Sequence, residues 1–176
     1  MAFTSYITDD ARVEQIFFHR PDIYRPFAQA NAVIMRGPSD LAVSERELIG
    51  AFTSALGNCR FCAGIHTETA RLFGVDAGLL EQMVEDFDAA PLDPKSRALL
   101  AFIRKLVLTP AQMVKADADA VFAAGWSEDA LHDAVAVSAL FAFMNRLVMG
   151  HGITADESQF QARGRRHFES GYLVPE

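Results

Sequence analysis

The chain predicts an all-α fold of about seven or eight helices joined by short connections. Three observations carry that expectation. Apolar residues recur at helical spacing through most segments, no stretch sustains the period-two alternation of a half-buried strand, and capping residues with Gly or Pro breakers punctuate the pattern. At 176 residues, 51% of them apolar, the sequence can bury one full core, and a single domain over 1–176 is expected.

The elements follow in order. From Asp9 or Asp10, Val13, Ile16 and Phe17 mark a first helix that stops at Pro21. Ile23, Phe27, Ala30 and Ile34 carry a second helix to the Gly37-Pro38 breaker, with Pro26 in its first turn. Ser44-Glu45-Arg46-Glu47 matches a capping box, Ser44 as N-cap and Glu47 three residues on, leading into Leu48, Ile49, Phe52 and Leu56. Asn58 then caps a helix that begins at Cys59 and stops at Gly74. Asp76 opens a short helix to about Val84, and Asp93-Pro94 starts one carrying Leu99, Leu100, Ile103 and Leu106. Another runs from Ala111 to Ala124. Ser127 caps the long apolar segment that follows, expected to be buried on most of its surface at the centre of the core or of a subunit interface. Beyond Ile153 the composition turns polar, so 154–176 reads as a surface extension with one short helix. A faint internal echo is also present, Arg46, Leu48 and Ile49 being answered by Arg97, Leu99 and Leu100.

Charge and composition narrow the function. Sixteen Lys and Arg against 23 Asp and Glu give a net charge of -7, which disfavours nucleic-acid and anionic-membrane partners. The one basic cluster, Arg163, Arg165, Arg166 and His167, reads as a solvated tail. No uninterrupted apolar run approaches the roughly 18 residues of a membrane helix, and MAFTSYITDD lacks the regions of a signal peptide, so a cytoplasmic protein is expected. In that compartment, cysteines three apart suit redox or metal chemistry better than a structural staple.

The chemistry concentrates between Glu47 and His66, where four proton-handling side chains fall within twenty residues. Cys59, Cys62 and His66 share one helical face at this spacing. A helix N-terminus stabilises a thiolate at Cys59, while His66 is the base nearest Cys62, and the sequence leaves the choice between them open. Side chains three apart on a helix lie about 5–6 Å apart at Cβ against about 3.8 Å in a disulfide, so a small first-turn adjustment closes the bridge. Glu47 could orient His66 if the two helices form a hairpin, although the capping box explains it as well.

Glu47, Cys59-Arg60-Phe61-Cys62 and His66 together resemble the AhpD-like alkylhydroperoxidases of the carboxymuconolactone decarboxylase superfamily, and the peroxidase-related branch in particular. The segments LDPKSRALLAFIRKLVLTP and ALFAFMNRLVMGHGI are similar to that branch too, so the resemblance covers about 41–153. It implies an AhpD-like helical domain, assembly into trimers or hexamers, and thiol-dependent reduction of hydrogen peroxide or organic hydroperoxides without a cofactor or metal. By position in the family, Cys62 is the peroxidatic cysteine, Cys59 the resolving one, His66 the base and Glu47 the relay carboxylate. An external dithiol, a lipoyl-bearing or thioredoxin-like protein, then reduces the disulfide. Founding members often carry a histidine between the cysteines. This chain has Arg60-Phe61 there, and Arg60 could lower a thiolate pKa by its charge.

Other readings stand beside this one. The dithiol could serve a disulfide reductase or a redox-responsive oligomer without peroxide turnover, the four residues could bind zinc, or the cysteines could be two small buried hydrophobes. A decarboxylase of the kind that names the superfamily needs no cysteine pair. His19, His132, His151 and His167 receive no catalytic role, with His151 a minor candidate for lining a pocket. Phe61, Phe141, Phe143 and Met144 read as core or interface.

Overall fold

The computed structural model describes residues 2–8, 12–154 and 157–172. Its described residues form nine α-helices and no strand: α1 (Val13–His19), α2 (Pro21–Arg36), α3 (Val43–Leu56), α4 (Arg60–Leu72), α5 (Leu79–Glu85), α6 (Pro94–Leu108), α7 (Lys115–Ala123), α8 (Glu128–Gly150) and α9 (Phe160–Ser170). The expected all-α architecture holds. A start for the first helix at Asp9 or Asp10 falls outside the described residues.

At α6 and α8 the capping residues match the sequence reading. Asp93 Oδ1 accepts from the backbone N–H of Lys95 at 2.9 Å and Ser96 at 3.1 Å, and Ser127 Oγ accepts from Ala130 N at 3.0 Å. The start of α3 is a correction. Ala42, not Ser44, precedes the helix, and its N–H donates to Glu45 Oε2 at 2.7 Å. Glu45 therefore fills the box position assigned to Glu47, because the helix begins earlier than the box at Ser44 implied. The second helix also starts earlier, at Pro21, which leaves Pro26 inside it. The segment expected as one helix over 111–124 splits into a 3₁₀ turn, Pro110–Gln112, and α7.

The echo between Arg46 and Arg97 has a physical counterpart. Arg46 Nη1 donates to the carbonyls of Ile34 at 3.0 Å and Gly37 at 2.9 Å, and Arg97 Nη1 donates to that of Phe87 at 2.8 Å. Each arginine ties the chain just before its own helix onto that helix, and the apolar pairs after them, Leu48-Ile49 and Leu99-Leu100, are all buried.

The main core gathers Met35, Ile49, Phe52, Met83, Ile103, Val121 and Val137 between α2, α3, α5, α6, α7 and α8. A second cluster, with Ile16, Phe17, Cys59, Phe61, Cys62, Ile65 and Val148, lies around the start of α4. Helix α8 is central but buries one stripe rather than most of its surface, with Phe143 at 44% and Met149 at 41% exposed. Its length and composition would also fit a membrane span, yet Val137, Leu140, Phe141 and Val148 are buried inside the domain.

The largest departure is at the C-terminus. Helix α9 is no surface extension but packs along α4, which also packs extensively on α3. Two glycines permit the close approach. A Cβ on Gly64 would lie 2.2 Å from the Phe160 ring, and one on Gly164 would lie 2.7 Å from Glu68 Cβ and 3.0 Å from the Ile65 carbonyl oxygen. The basic cluster is accordingly part of a packed helix rather than a tail: Arg163 lies over the Phe61 ring, Arg166 pairs with Glu14 and His167 packs beside His66, while Arg165 stays exposed to solvent as expected.

Candidate active site

The turn between α3 and α4 sets the geometry of the cysteines. Asn58 takes the left-handed conformation at φ 57°, the N–H of Asn58 donates to the Ala55 carbonyl at 3.0 Å, and that of Cys59 to the Ser54 carbonyl at 2.9 Å. This is a Schellman closure, with asparagine tolerating the left-handed position. Cys59 consequently ends one helix motif and occupies the N-cap of α4, one position later than the reading that gave Asn58 the cap.

Both cysteines are buried and reduced, Cys59 at 1% and Cys62 at 4% exposure. The Cys62 thiol, followed by the backbone N–H groups of Cys62 and Phe61, holds the Cys59 thiol down to about 7 against the opposing effect of burial. Cys62 is driven the other way, well above the usual thiol range, by the same hydrogen bond to Cys59 and by burial. The helix N-terminus thus favours the thiolate at Cys59. Arg60 takes no part, since its side chain is 82% exposed and pairs with Glu157.

Glu47 is fully buried in α3 and faces α4. Its Oε1 accepts from Arg36 Nη2 at 2.6 Å and from the Tyr172 hydroxyl at 2.9 Å, and its Oε2 lies 2.8 Å from His66 Nδ1. The Tyr172 hydroxyl is also 3.1 Å from His66 Nδ1. Burial opposes ionisation of this carboxyl most strongly, but the hydrogen bonds and charges of His66 and Arg36 outweigh it and bring the pKa below the ordinary glutamate range. Tyr172 moves upward, well above the usual phenol range, through burial and the neighbouring carboxylate, so it stays a neutral donor. With a carboxylate at Nδ1, that nitrogen carries the proton of neutral His66 and Nε2 is left with a lone pair.

The network draws on four helices and the chain after α9. Arg36 also stacks its guanidinium over Tyr172 at 4.9 Å and Phe73 at 5.1 Å. His167 lies 5.2 Å from His66 between ring centroids, and its pKa falls to about 4, mainly through burial and then the neighbouring His66. The ring keeps some surface, which faces the cavity described next.

Cys62 and His66 line a cavity of about 450 Å³ with Phe17, Phe61, Ile65, Leu140, Phe141 and Met144. Three of the residues read as core or interface thus face this space, whereas Phe143 packs on Phe27 at the surface. His151 is remote from it, bonded to the Leu147 carbonyl and set edge-on to Tyr6. No group of three or more His, Cys, Asp or Glu forms a metal site among the described residues, the Glu47 oxygens being engaged by Arg36, His66 and Tyr172. Arg36, His167 and Tyr172 carried no local sequence signal, since the residues they join are distant in the chain.

A profile of the carboxymuconolactone decarboxylase family matches residues 21–105, which include α2, α3, α4 and the cysteine pair. Over those residues the chain is similar to the carboxymuconolactone decarboxylase family, and its fold is that of AhpD-like proteins. An uncharacterized peroxidase-related protein from Ralstonia eutropha JMP134, described as an alkylhydroperoxidase AhpD core, is 27% identical with a TM-score of 0.77 over 87% of this chain and 80% of that one. An uncharacterized peroxidase-related protein from Silicibacter sp. TM1040 is 24% identical with a TM-score of 0.78 over the same shares, 87% and 80%. The debrominase Bmp8, solved as a cysteine-to-alanine variant in complex with 2,3,4-tribromopyrrole, shares the fold at 18% identity and a TM-score of 0.70, over 88% of this chain and 81% of that one. No curated protein matches the sequence. Within this AhpD-like fold the second cysteine of the pair borders the cavity, and the first lies at the helix N-terminus.

Proposed function

We propose that this chain is a thiol-dependent peroxidase that reduces hydrogen peroxide or organic hydroperoxides through the Cys59–Cys62 dithiol. The observation that carries this reading is the placing of Cys62 on the cavity, with Cys59 hydrogen-bonded behind it and a carboxylate-oriented His66 beside it. Cys62 sulfur attacks the terminal peroxide oxygen as its proton passes to His66 Nε2. The O–O bond breaks, Cys62 becomes a sulfenic acid, and the departing alkoxide takes the proton from His66 to leave as the alcohol. Cys59, already poised as a thiolate at the helix N-terminus, attacks the sulfenic sulfur, and hydroxide leaves as water on protonation. One hydroperoxide gains two electrons and the dithiol becomes a disulfide. An external dithiol, a lipoyl-bearing or thioredoxin-like protein, returns it to the reduced state.

This division reconciles the two devices near the cysteines. Low pKa suits the resolving Cys59, which must be nucleophilic the moment the sulfenic acid forms, while access to the cavity suits Cys62. Glu47 holds the His66 tautomer, and Arg36 and Tyr172 hold Glu47. The assembly is proposed as a cytoplasmic homo-oligomer, a trimer or hexamer, whose mass in solution light scattering would report.

Rapid mixing of the reduced protein with cumene hydroperoxide tests the reading. Loss of both thiols without intermolecular disulfides is expected, and Cys62→Ser should react at least about 100-fold more slowly, the scale of a lost nucleophile or acid–base group. Equal rates would refute the assigned roles.

A second reading rests on the apolar cavity and the shared fold of the debrominase. The same dithiol could deliver two electrons to an aryl carbon–bromine bond, giving the arene, bromide and the disulfide. Bromide release from a bromopyrrole, with no thiol loss on adding peroxide, would favour it.

A further inference from the structure

The residues lining the cavity beside Cys62 divide by depth. Phe61, Cys62, Ile65, His66 and Phe141 are buried and form its floor, whereas Arg12, Ser158 and Arg166 are exposed and stand at its mouth. The volume of about 450 Å³ lies within the roughly 300–1,000 Å³ of sites for small organic ligands. Hydrogen peroxide, not much larger than a water molecule with its share of about 30 Å³, fills little of it.

The charge at the mouth runs against that of the chain. A protein of net charge -7 places three guanidiniums at this opening, Arg12, Arg163 and Arg166, and of the described residues lining it one is a carboxylate, Glu14. Arg163 donates to Gln159 Oε1 at 2.7 Å and lies over the Phe61 ring. Arg166 pairs with Glu14 through Nη1, and its side chain remains 49% exposed. A guanidinium fork carries five N–H donors, so Arg166 can keep Glu14 and still receive a second carboxylate.

Floor and mouth therefore favour opposite ends of one molecule. A carboxylate carried down to the aromatic floor would lose its hydration, which is costly for an unpaired charge. At the mouth it stays partly hydrated and meets arginine, whose planar fork matches it. A hydroperoxide group is neutral and moves inward at less cost.

We infer that the cavity binds an organic hydroperoxide bearing a carboxylate, which Arg166 holds at the mouth while the hydroperoxide reaches Cys62. This rests on the peroxidase reading above and names its substrate class. The step at sulfur is unchanged, two electrons passing from the dithiol to the O–O bond, so the product is the matching hydroxy acid and the carboxylate takes no part. Arg166 is a specificity-determining residue here, since it touches the end of the substrate that does not react.

Binding and reactivity are read separately. Cys62→Ser protein, which lacks the peroxidatic sulfur, is titrated by calorimetry with 4-isopropylbenzoate and its neutral counterpart 4-isopropylbenzamide. The benzoate should bind about tenfold more tightly, a difference of about 1.4 kcal/mol, and the advantage should shrink at about 1 M salt, where the Debye length is about 3 Å. Adding Arg166→Gln should cut that ratio to about twofold or less, whereas adding Glu14→Gln should raise it by removing the competing carboxylate. A ratio near one before either change, or a fall with both, would overturn the carboxylate site, the second result leaving the ion pair as a structural clasp only. In parallel, cumene hydroperoxide and its 4-carboxylate are mixed with the reduced native protein, the carboxylate being expected to oxidise the thiols about tenfold faster below saturation. Thiol loss at equal rates with both overturns the substrate class and leaves the peroxidase reading intact. Benzoate-selective binding with thiol loss from neither overturns the peroxidase reading and leaves a carboxylate site.

Discussion

Tyr172 donates its phenolic hydrogen to Glu47 Oε1 over 2.9 Å, joining two buried residues that lie 125 positions apart in the chain. The same hydroxyl is 3.1 Å from Glu47 Oε2 and from His66 Nδ1, so the C-terminal end of the described chain closes the network that the CxxC helix opens.

Tyr172→Phe removes that hydroxyl and little else. A hydrogen bond to a charged group contributes about 1.5–3 kcal/mol, and its loss should slow peroxide-driven oxidation of the thiols by about tenfold or more. Because Glu47 then loses a donor to its ionised form, its pKa rises, and the acid limb of the rate profile should move to higher pH. Stopped-flow rates from mildly acidic to neutral pH measure both. An unshifted profile would assign Tyr172 a packing role only.

Glu47 and Glu45 can be told apart by the same assay. Glu47→Gln leaves Arg36 without its carboxylate partner, and breaking a buried pair costs about 3–5 kcal/mol. Oxidation should slow by roughly 100-fold as His66 loses its orienting charge, within the range general acid–base groups contribute. Glu45→Ala removes only the N-terminal cap of α3, about 1 kcal/mol, and should leave the oxidation rate within twofold. Urea unfolding supplies the stability arm.

The acidic thiol should be Cys59. Thiolate absorbance in the ultraviolet is expected to titrate with a midpoint of about 7 in the native protein. Cys62→Ala, which deletes the thiol that donates to Cys59, should raise that midpoint, whereas Cys59→Ala should leave no thiolate at neutral pH. A midpoint near 7 surviving in Cys59→Ala would reverse the assignment.

His167 should make stability fall in mild acid. Its pKa is lowered to about 4 in the folded protein, against 6.5 for the free side chain, so the unfolded chain binds the extra proton first. Stability is therefore fully present above about 6.5 and declines as pH drops toward about 4, by at most some 3 kcal/mol given the surface that His167 keeps toward the cavity. Glu47, with its pKa depressed, adds a loss of the same sign as pH falls below 4.5, the ordinary glutamate value. Denaturant midpoints across this range should show a shallower slope in His167→Phe between about pH 6.5 and 4.

Much of the helical framework could be read locally. Asp93 and Ser127 begin their helices by accepting hydrogen bonds from residues two or three positions ahead, and such contacts are complete within a single turn. The spacing of Cys59, Cys62 and His66 is likewise a one-helix property. Local signals misled at the start of α3. Ser44 and Glu47 have the types and spacing of a capping box, yet the helix begins earlier, after Ala42, and Glu45 takes the backbone N–H there, which frees Glu47 for the interior.

The order of residues was thus enough for the helices, their principal caps and the dithiol with its histidine, because each depends on neighbours three or four positions away. It took the packing of the helices to make Glu47 a buried hydrogen-bond partner of His66, to place Cys62 rather than Cys59 on the cavity, and to bring Arg36, His167 and Tyr172 beside them. Those assignments arise where α2, α3, α4 and α9 lie side by side, and the free energy of burying a charged or polar group is set by neighbours that are far apart along the chain.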